Sequence, residues 1–105
     1  MKTKKKISKR MYVIVRNDLA SIYKCVQGGH ALAKFIMEHP KEAKEWNNEY
    51  LIYLGVPNLQ ALKKLYYKTV TKRVVSAFIE PDLDGQLTSI AIYDTGKIFK
   101  KLPLA

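Results

Sequence analysis

A single cysteine, Cys25, excludes an internal disulfide. On the apolar helix face described below, it reads as a small buried hydrophobe rather than a nucleophile. The two histidines, His30 and His39, lack the spacing of a ligand pair, and no Cys/His cluster suggests zinc. No metal and no cofactor are therefore expected. No apolar run approaches the ~18 residues of a membrane span, and no signal-peptide core opens the chain. Those absences predict a cytoplasmic protein with no membrane partner. Acidic residues are scarce: nine Asp and Glu stand against 19 Lys and Arg, a net charge of +10. Such an excess favours a polyanionic partner, nucleic acid above all, through phosphate contacts, and carries no information about sequence preference.

What is present is enough for one modest core. The 105 residues make one domain, and a 48% hydrophobic content supports a folded globule. Met1 to Arg10 reads as a flexible basic arm carrying +6 of the charge. Its Lys4, Lys5, Lys6 and Arg10 are candidates to grip phosphates. The domain proper is expected over 11–105. Met11 to Arg16 is an apolar run without strict alternation, as in a strand covered on both faces. Ser21 to Glu38 has helical periodicity, and His39-Pro40 ends it. Pro40 opens a short helix, Lys41 to Trp46, whose tryptophan should pack over the domain edge. Tyr50 to Val56 reads as a second strand. Asn58 then caps a helix from Leu59 to about Thr69 with a stripe of Leu59, Leu62, Leu65, Tyr66 and Thr69. Its Lys63, Lys64 and Lys68 project outward, as a wet face or as further phosphate contacts. Arg73 to Glu80 and Leu87 to Tyr93 are strands joined by a short loop, so they should be antiparallel neighbours. Lys97 to Leu102 reads as a last helical turn. Helix-containing crossovers make the first three strands parallel and the last one antiparallel. The expectation is an α/β, three-layer domain with a four-stranded mixed sheet and helices on both faces.

The chemistry gathers where the first strand turns into the first helix, a place where open α/β sheets put ligands. Asp18 is a turn or cap acid, or else a functional carboxylate at the strand's end. Arg16 would hold it ionised or face a phosphate. On the helix, Ile22, Cys25, Val26, Gly29, Ala33 and Ile36 gather on one face, the expected core face. Tyr23, Gln27, His30 and Lys34 line up beside it as a half-buried row, either ordinary boundary residues or groups converging on one anionic or carbonyl-bearing ligand. Two glycines inside a helix cost about 1 kcal/mol each relative to alanine, which suggests a close backbone approach. Gly29 would face the sheet and Gly28 would point away.

Val13-x-Val15-Arg16-x-Asp18-Leu19 followed by Gln27-x-x-His30-Ala31 resembles the start of the type 2 peptidyl-tRNA hydrolase family. The likeness runs from about Tyr12 to Ile92, and the C-terminal part is more similar to divergent peptidyl-tRNA hydrolase domain-containing relatives. The resemblance implies strand order 2-1-4-3, which spacing alone does not give. It also implies hydrolysis of the ester between a peptide and the terminal ribose of tRNA. That reaction needs an activated water, a stabilised oxyanion and a grip on the tRNA end. Glu80 or Asp18 would orient or deprotonate water. Lys24, Gln27 or His30 would steady the oxyanion, and Thr88 would bond the substrate. Lys34 and Lys24 would add to a basic rim.

This chain departs from the family pattern at two places. Tyr23 stands where the standard members have a lysine four residues before the glutamine, with Lys24 rotated ~100° from that position. The bend Glu80-Pro81-Asp82-Leu83-Asp84-Gly85-Gln86-Leu87-Thr88 replaces an Asp-Ala-Gly-x-Thr run and a Pro-Gly-Thr turn, with Glu80 in the aspartate's place. A non-catalytic tRNA- or nucleotide-binding module on the same fold is therefore a second reading. A pocket turned to another nucleotide substrate is a third. The oligomeric state stays open, a homodimer included. All of these readings require the strand-to-helix loop and the acidic bend to meet at one cleft.

Overall fold

Five consecutive buried residues, Met11 to Val15, form the centre of strand β1 (Arg10–Arg16) in the computed structural model, which describes residues 8–105. Because side chains alternate across a strand, β1 feeds two cores. Tyr12 and Ile14 join Leu54, Leu62, Ile90 and Ile92 on one face. Met11, Val13 and Val15 join Ala31, Phe35, Trp46 and Ala91 on the other. The uninterrupted apolar run thus has its cause in a strand covered on both sides.

The remaining elements follow in chain order: α1 (Ser21–Glu38), α2 (Pro40–Trp46), β2 (Leu51–Val56), α3 (Leu59–Thr69), β3 (Val74–Glu80) and β4 (Gln86–Asp94). Short 3-10 turns occupy Pro81–Leu83 and Lys97–Phe99. The sheet order is β2-β1-β4-β3, with β2 parallel to β1 and β4 antiparallel to both of its neighbours. Helices α1 and α2 cover one face, while α3 and the Lys97–Phe99 turn cover the other, giving three layers. Asn58 caps α3 through its side chain, accepting from the Ala61 amide at 2.9 Å. Trp46 is buried at the end of α2 and donates its indole N–H to the Tyr50 carbonyl. Among the described residues no helix is long and apolar enough to cross a membrane.

Both sheet edges are covered in part, which limits edge pairing with other chains. The C-terminal residues lie along β2, with a Leu54–Leu104 bridge and a Gly55 amide bonded to the Pro103 carbonyl. On β3, Lys34 donates to the Ala77 carbonyl at 2.8 Å, and His39 Nε2 lies 3.2 Å from the Val75 carbonyl.

Three expectations need correction. First, Arg10 is the first residue of β1, in register with Asp94, rather than the end of an arm; residues 1–7, with Lys4, Lys5 and Lys6, lie outside the described residues. Second, α1 is turned roughly half a revolution from the expected orientation. Its buried residues are Gln27, Gly28, Ala31 and Phe35, whereas Ile22, Cys25, Val26, Gly29, Ala33 and Ile36 are exposed. The physical reason is close packing plus a polar network. A Cβ on Gly28 would sit 2.5 Å from Tyr53 Cε2, so the helix approaches the sheet at that glycine, while a Cβ on Gly29 would meet nothing within 4 Å. Third, Cys25 is accordingly an exposed thiol.

Candidate functional site

The end of the sheet where β1 stops and β4 starts is organised by two buried polar side chains. Arg16 is buried at the C-terminal end of β1 and donates in three directions. Its Nε and Nη2 grip both oxygens of Asp18 at 3.0 and 2.8 Å. Its Nη1 donates to Gln86 Oε1 at 2.9 Å and to the Leu87 carbonyl at 3.1 Å. This fork-on-carboxylate pairing holds the Asp18 carboxyl below its usual range, the Arg16 hydrogen bond being the largest cause. Asp18 therefore caps no helix: α1 starts after Ala20 without a side-chain cap. Of the two roles open to Arg16, holding Asp18 ionised is the one the geometry displays, and its donors are committed within the fold.

Gln27 is the second organiser. Its side chain is fully buried on α1, and its amide nitrogen donates to Glu80 Oε1 at 2.7 Å. Its amide oxygen accepts from the Thr88 hydroxyl at 2.6 Å. Its backbone carbonyl accepts from Ser89 Oγ at 2.6 Å. An unpartnered buried amide would be costly, so these bonds are what permit a glutamine on the buried face. They join α1 to two segments more than fifty residues further along the chain, the end of β3 and the start of β4. Glu80 and Gln86 are register partners, so the Arg16–Asp18 pair and the Gln27–Glu80 pair adjoin the same sheet end.

Glu80 accepts at both oxygens, the second from the Asp82 amide at 3.1 Å. Hydrogen bonds to the charged form stabilise it. The Gln27 bond, then the Asp82 amide, and to a smaller extent His30, outweigh desolvation and lower the Glu80 carboxyl from its ordinary value. His30 is exposed and stacks on Phe78 with ring centroids 4.5 Å apart and planes 14° apart. Tyr23, half-buried one turn before Gln27, has its phenol raised by desolvation and then by the negative charges of Glu80 and Asp82. At neutral pH it is an O–H donor beside an ionised carboxylate.

The strand-to-helix segment and the acidic bend thus meet. Gln27, His30, Glu80 and Thr88 come together, and Asp18 joins them through Arg16 and Gln86. Thr88 is fully buried with its hydroxyl on Gln27, so it positions the glutamine rather than facing a substrate. Lys24 points elsewhere. Its Nζ donates to Asn17 Oδ1 at 2.9 Å, and it lines a cavity of about 460 Å³ with Ser21, Cys25, Tyr53 and Ala105 on the β2 side. It does not serve the Glu80 site, for the ~100° rotation between neighbouring helix positions carries it away. Lys34 is tied to the β3 edge. Lys63 and Lys64 are exposed on α3, in the layer opposite α1. Sequence reasoning missed Ser89, Gln86 and Phe78 as parts of this assembly. Their only sequence signal is position, beside the bend and at the start of β4. Among the described residues, no group of three or more His, Cys, Asp or Glu side chains is placed to hold a metal ion.

No family model and no curated protein matches the chain. Among solved structures, a protein of unknown function from Agrobacterium tumefaciens is similar, with a TM-score of 0.69 at 15% identity. The match covers 93% of this chain and 98% of that one, and it shows a shared fold.

Proposed function

We propose that this chain is a peptidyl-tRNA hydrolase-like protein that cleaves the ester between a peptide and the terminal ribose of tRNA. The observation that carries this reading is the hydrogen-bonded string Glu80–Gln27–Thr88 with His30 and Tyr23 at its open side. Glu80, kept ionised, orients a water by accepting one of its protons in a hydrogen bond. The water oxygen attacks the ester carbonyl, and the His30 imidazole takes the proton that is released. The Tyr23 phenol donates to the oxyanion of the tetrahedral intermediate, in the place where the resembled enzymes carry lysine. Collapse of the intermediate expels the ribose oxygen, which takes the proton back from His30 and leaves as a hydroxyl. The positive charge of the chain draws the tRNA in.

A second reading, a tRNA- or nucleotide-binding module without hydrolysis, is favoured by one observation. The Gln27 amide and the Thr88 hydroxyl are bonded to partners within the fold rather than turned outward. One experiment separates the two. Peptidyl-tRNA is incubated with excess protein, and released peptide and intact ester are both quantified. Hydrolysis predicts release that falls about 100-fold or more in His30→Ala and Glu80→Gln. Full recovery of intact ester from a folded sample that binds tRNA in a salt-dependent way would establish the binding module instead.

A further inference from the structure

Among the described residues, the outward face of α1 is a large apolar surface that the proposed ester site leaves unused. Ile22 is 77% exposed and Met37 76%, with Val26 at 48% and Ile36 at 44% between them. The small exposed residues Gly29 and Ala33 complete the stripe. It runs ~22 Å along the helix without one charged side chain, on a chain whose net charge is +10. Lys24 and Lys34, the lysines of this helix, are turned back to Asn17 Oδ1 and the Ala77 carbonyl. Surface helices ordinarily put their charges outward; this one does the reverse.

From this we infer that α1 is the contact between two copies of this chain, packed antiparallel about a two-fold axis near Gly29 and His30. Three features select a second copy as occupant. The stripe offers roughly 500–600 Å² of apolar surface, the upper end of what monomers leave open. That is most of the ~800 Å² per partner that a standard interface buries. Its profile is self-complementary, with bulky side chains at both ends and small ones in the middle, as a two-fold contact requires. An antiparallel partner sets Ile22 against the partner's Met37 and Val26 against the partner's Ala33, while Gly29 lets the helices cross closely. A neutral stripe also allows two +10 chains to meet away from their lysines. An anionic lipid surface would instead call for lysines along the stripe's margins. Tyr23 and His30 border one margin and Ser21 and Leu32 the other. In the antiparallel pair the two His30 margins lie on the same side, so both ester sites open to one face of the dimer.

The test is sedimentation of the full chain together with engineered cysteines. The intact protein is expected at twice its 12.1 kDa mass in the micromolar range. Val26→Glu and Ala33→Glu, with unchanged circular dichroism, should weaken the dimer at least about 100-fold. On a Cys25→Ser background, Gly29→Cys should form a cross-linked dimer on mild oxidation, since a side chain there has open space. Ile22→Cys should not, because its two copies would be ~20 Å apart in the antiparallel pair. A monomer at all concentrations overturns the inference, as does a dimer indifferent to both glutamates. Cross-linking through Ile22→Cys rather than Gly29→Cys overturns the antiparallel arrangement. A monomer that cosediments with phosphatidylglycerol vesicles would assign the stripe to a membrane surface instead.

Discussion

Glu80 and Asp18 are both held below their ordinary carboxylate range, by Gln27 first in one case and by Arg16 first in the other. A carboxylate with a lowered native value stabilises the fold fully above its unfolded value and loses that contribution as pH falls through the native one. Their unfolded references lie at 4.5 and 3.8, so urea midpoints should be level from pH 7 to about 5 and drop below that. In Glu80→Gln and Asp18→Asn the acid-side drop should be shallower, each variant removing one of the two contributions. Thr88 supplies a second prediction. Thr88→Val deletes the hydroxyl that bonds the Gln27 amide oxygen and leaves that oxygen buried and unpaired. A cost of about 1–3 kcal/mol in urea unfolding is expected, with most of it restored by Thr88→Ser.

Helix α1 carries the clearest lesson about what this sequence discloses. Its bounds, Ser21–Glu38, and those of α3, Leu59–Thr69, follow from periodicity, Asn58 and His39-Pro40. The rotation of α1 does not. Counting aliphatic side chains points Ile22, Val26 and Ile36 inward, yet the helix buries Gln27 through bonds to Glu80 and Thr88, residues that no local pattern connects to it. Gly28 and Ala31 allow the close approach, and Phe35 supplies the apolar weight. The same non-local cause explains why Tyr23 rather than Lys24 faces the acidic bend. By contrast, the meeting of the Gln27-x-x-His30 segment with that bend was legible, because strand order 2-1-4-3 follows from the resemblance and brings β4 beside β1. The rotation can be checked directly. Phe35→Ala should cost about 3–5 kcal/mol, and Gly28→Val, pressed against Tyr53, should cost about 1–3 kcal/mol. Unfolding curves showing less than about 1 kcal/mol for both would return the aliphatic face to the core.

The molecule joins a neutral apolar stripe and a small ionised site to an otherwise basic surface. With +10 on 105 residues, association with tRNA should weaken steeply with salt, the logarithm of the affinity falling linearly against the logarithm of salt concentration. Arg16 and Lys34, tied within the fold, should change that slope less on substitution with glutamine than Lys63 and Lys64, which are exposed. The central proposal is that His30 and Tyr23, beside the Glu80–Gln27–Thr88 string, receive the tRNA end. Its most direct test is a nuclear magnetic resonance titration with a 3′-aminoacylamido-adenosine, an analogue whose amide replaces the labile ester. Saturable shifts are expected at the Gln27 side-chain amide, His30, Tyr23 and the Glu80–Asp82 backbone, abolished in Glu80→Lys while the rest of the spectrum stays folded. Shifts confined to the Ser21, Lys24 and Tyr53 cavity, or absent at saturating analogue, would contradict the proposal.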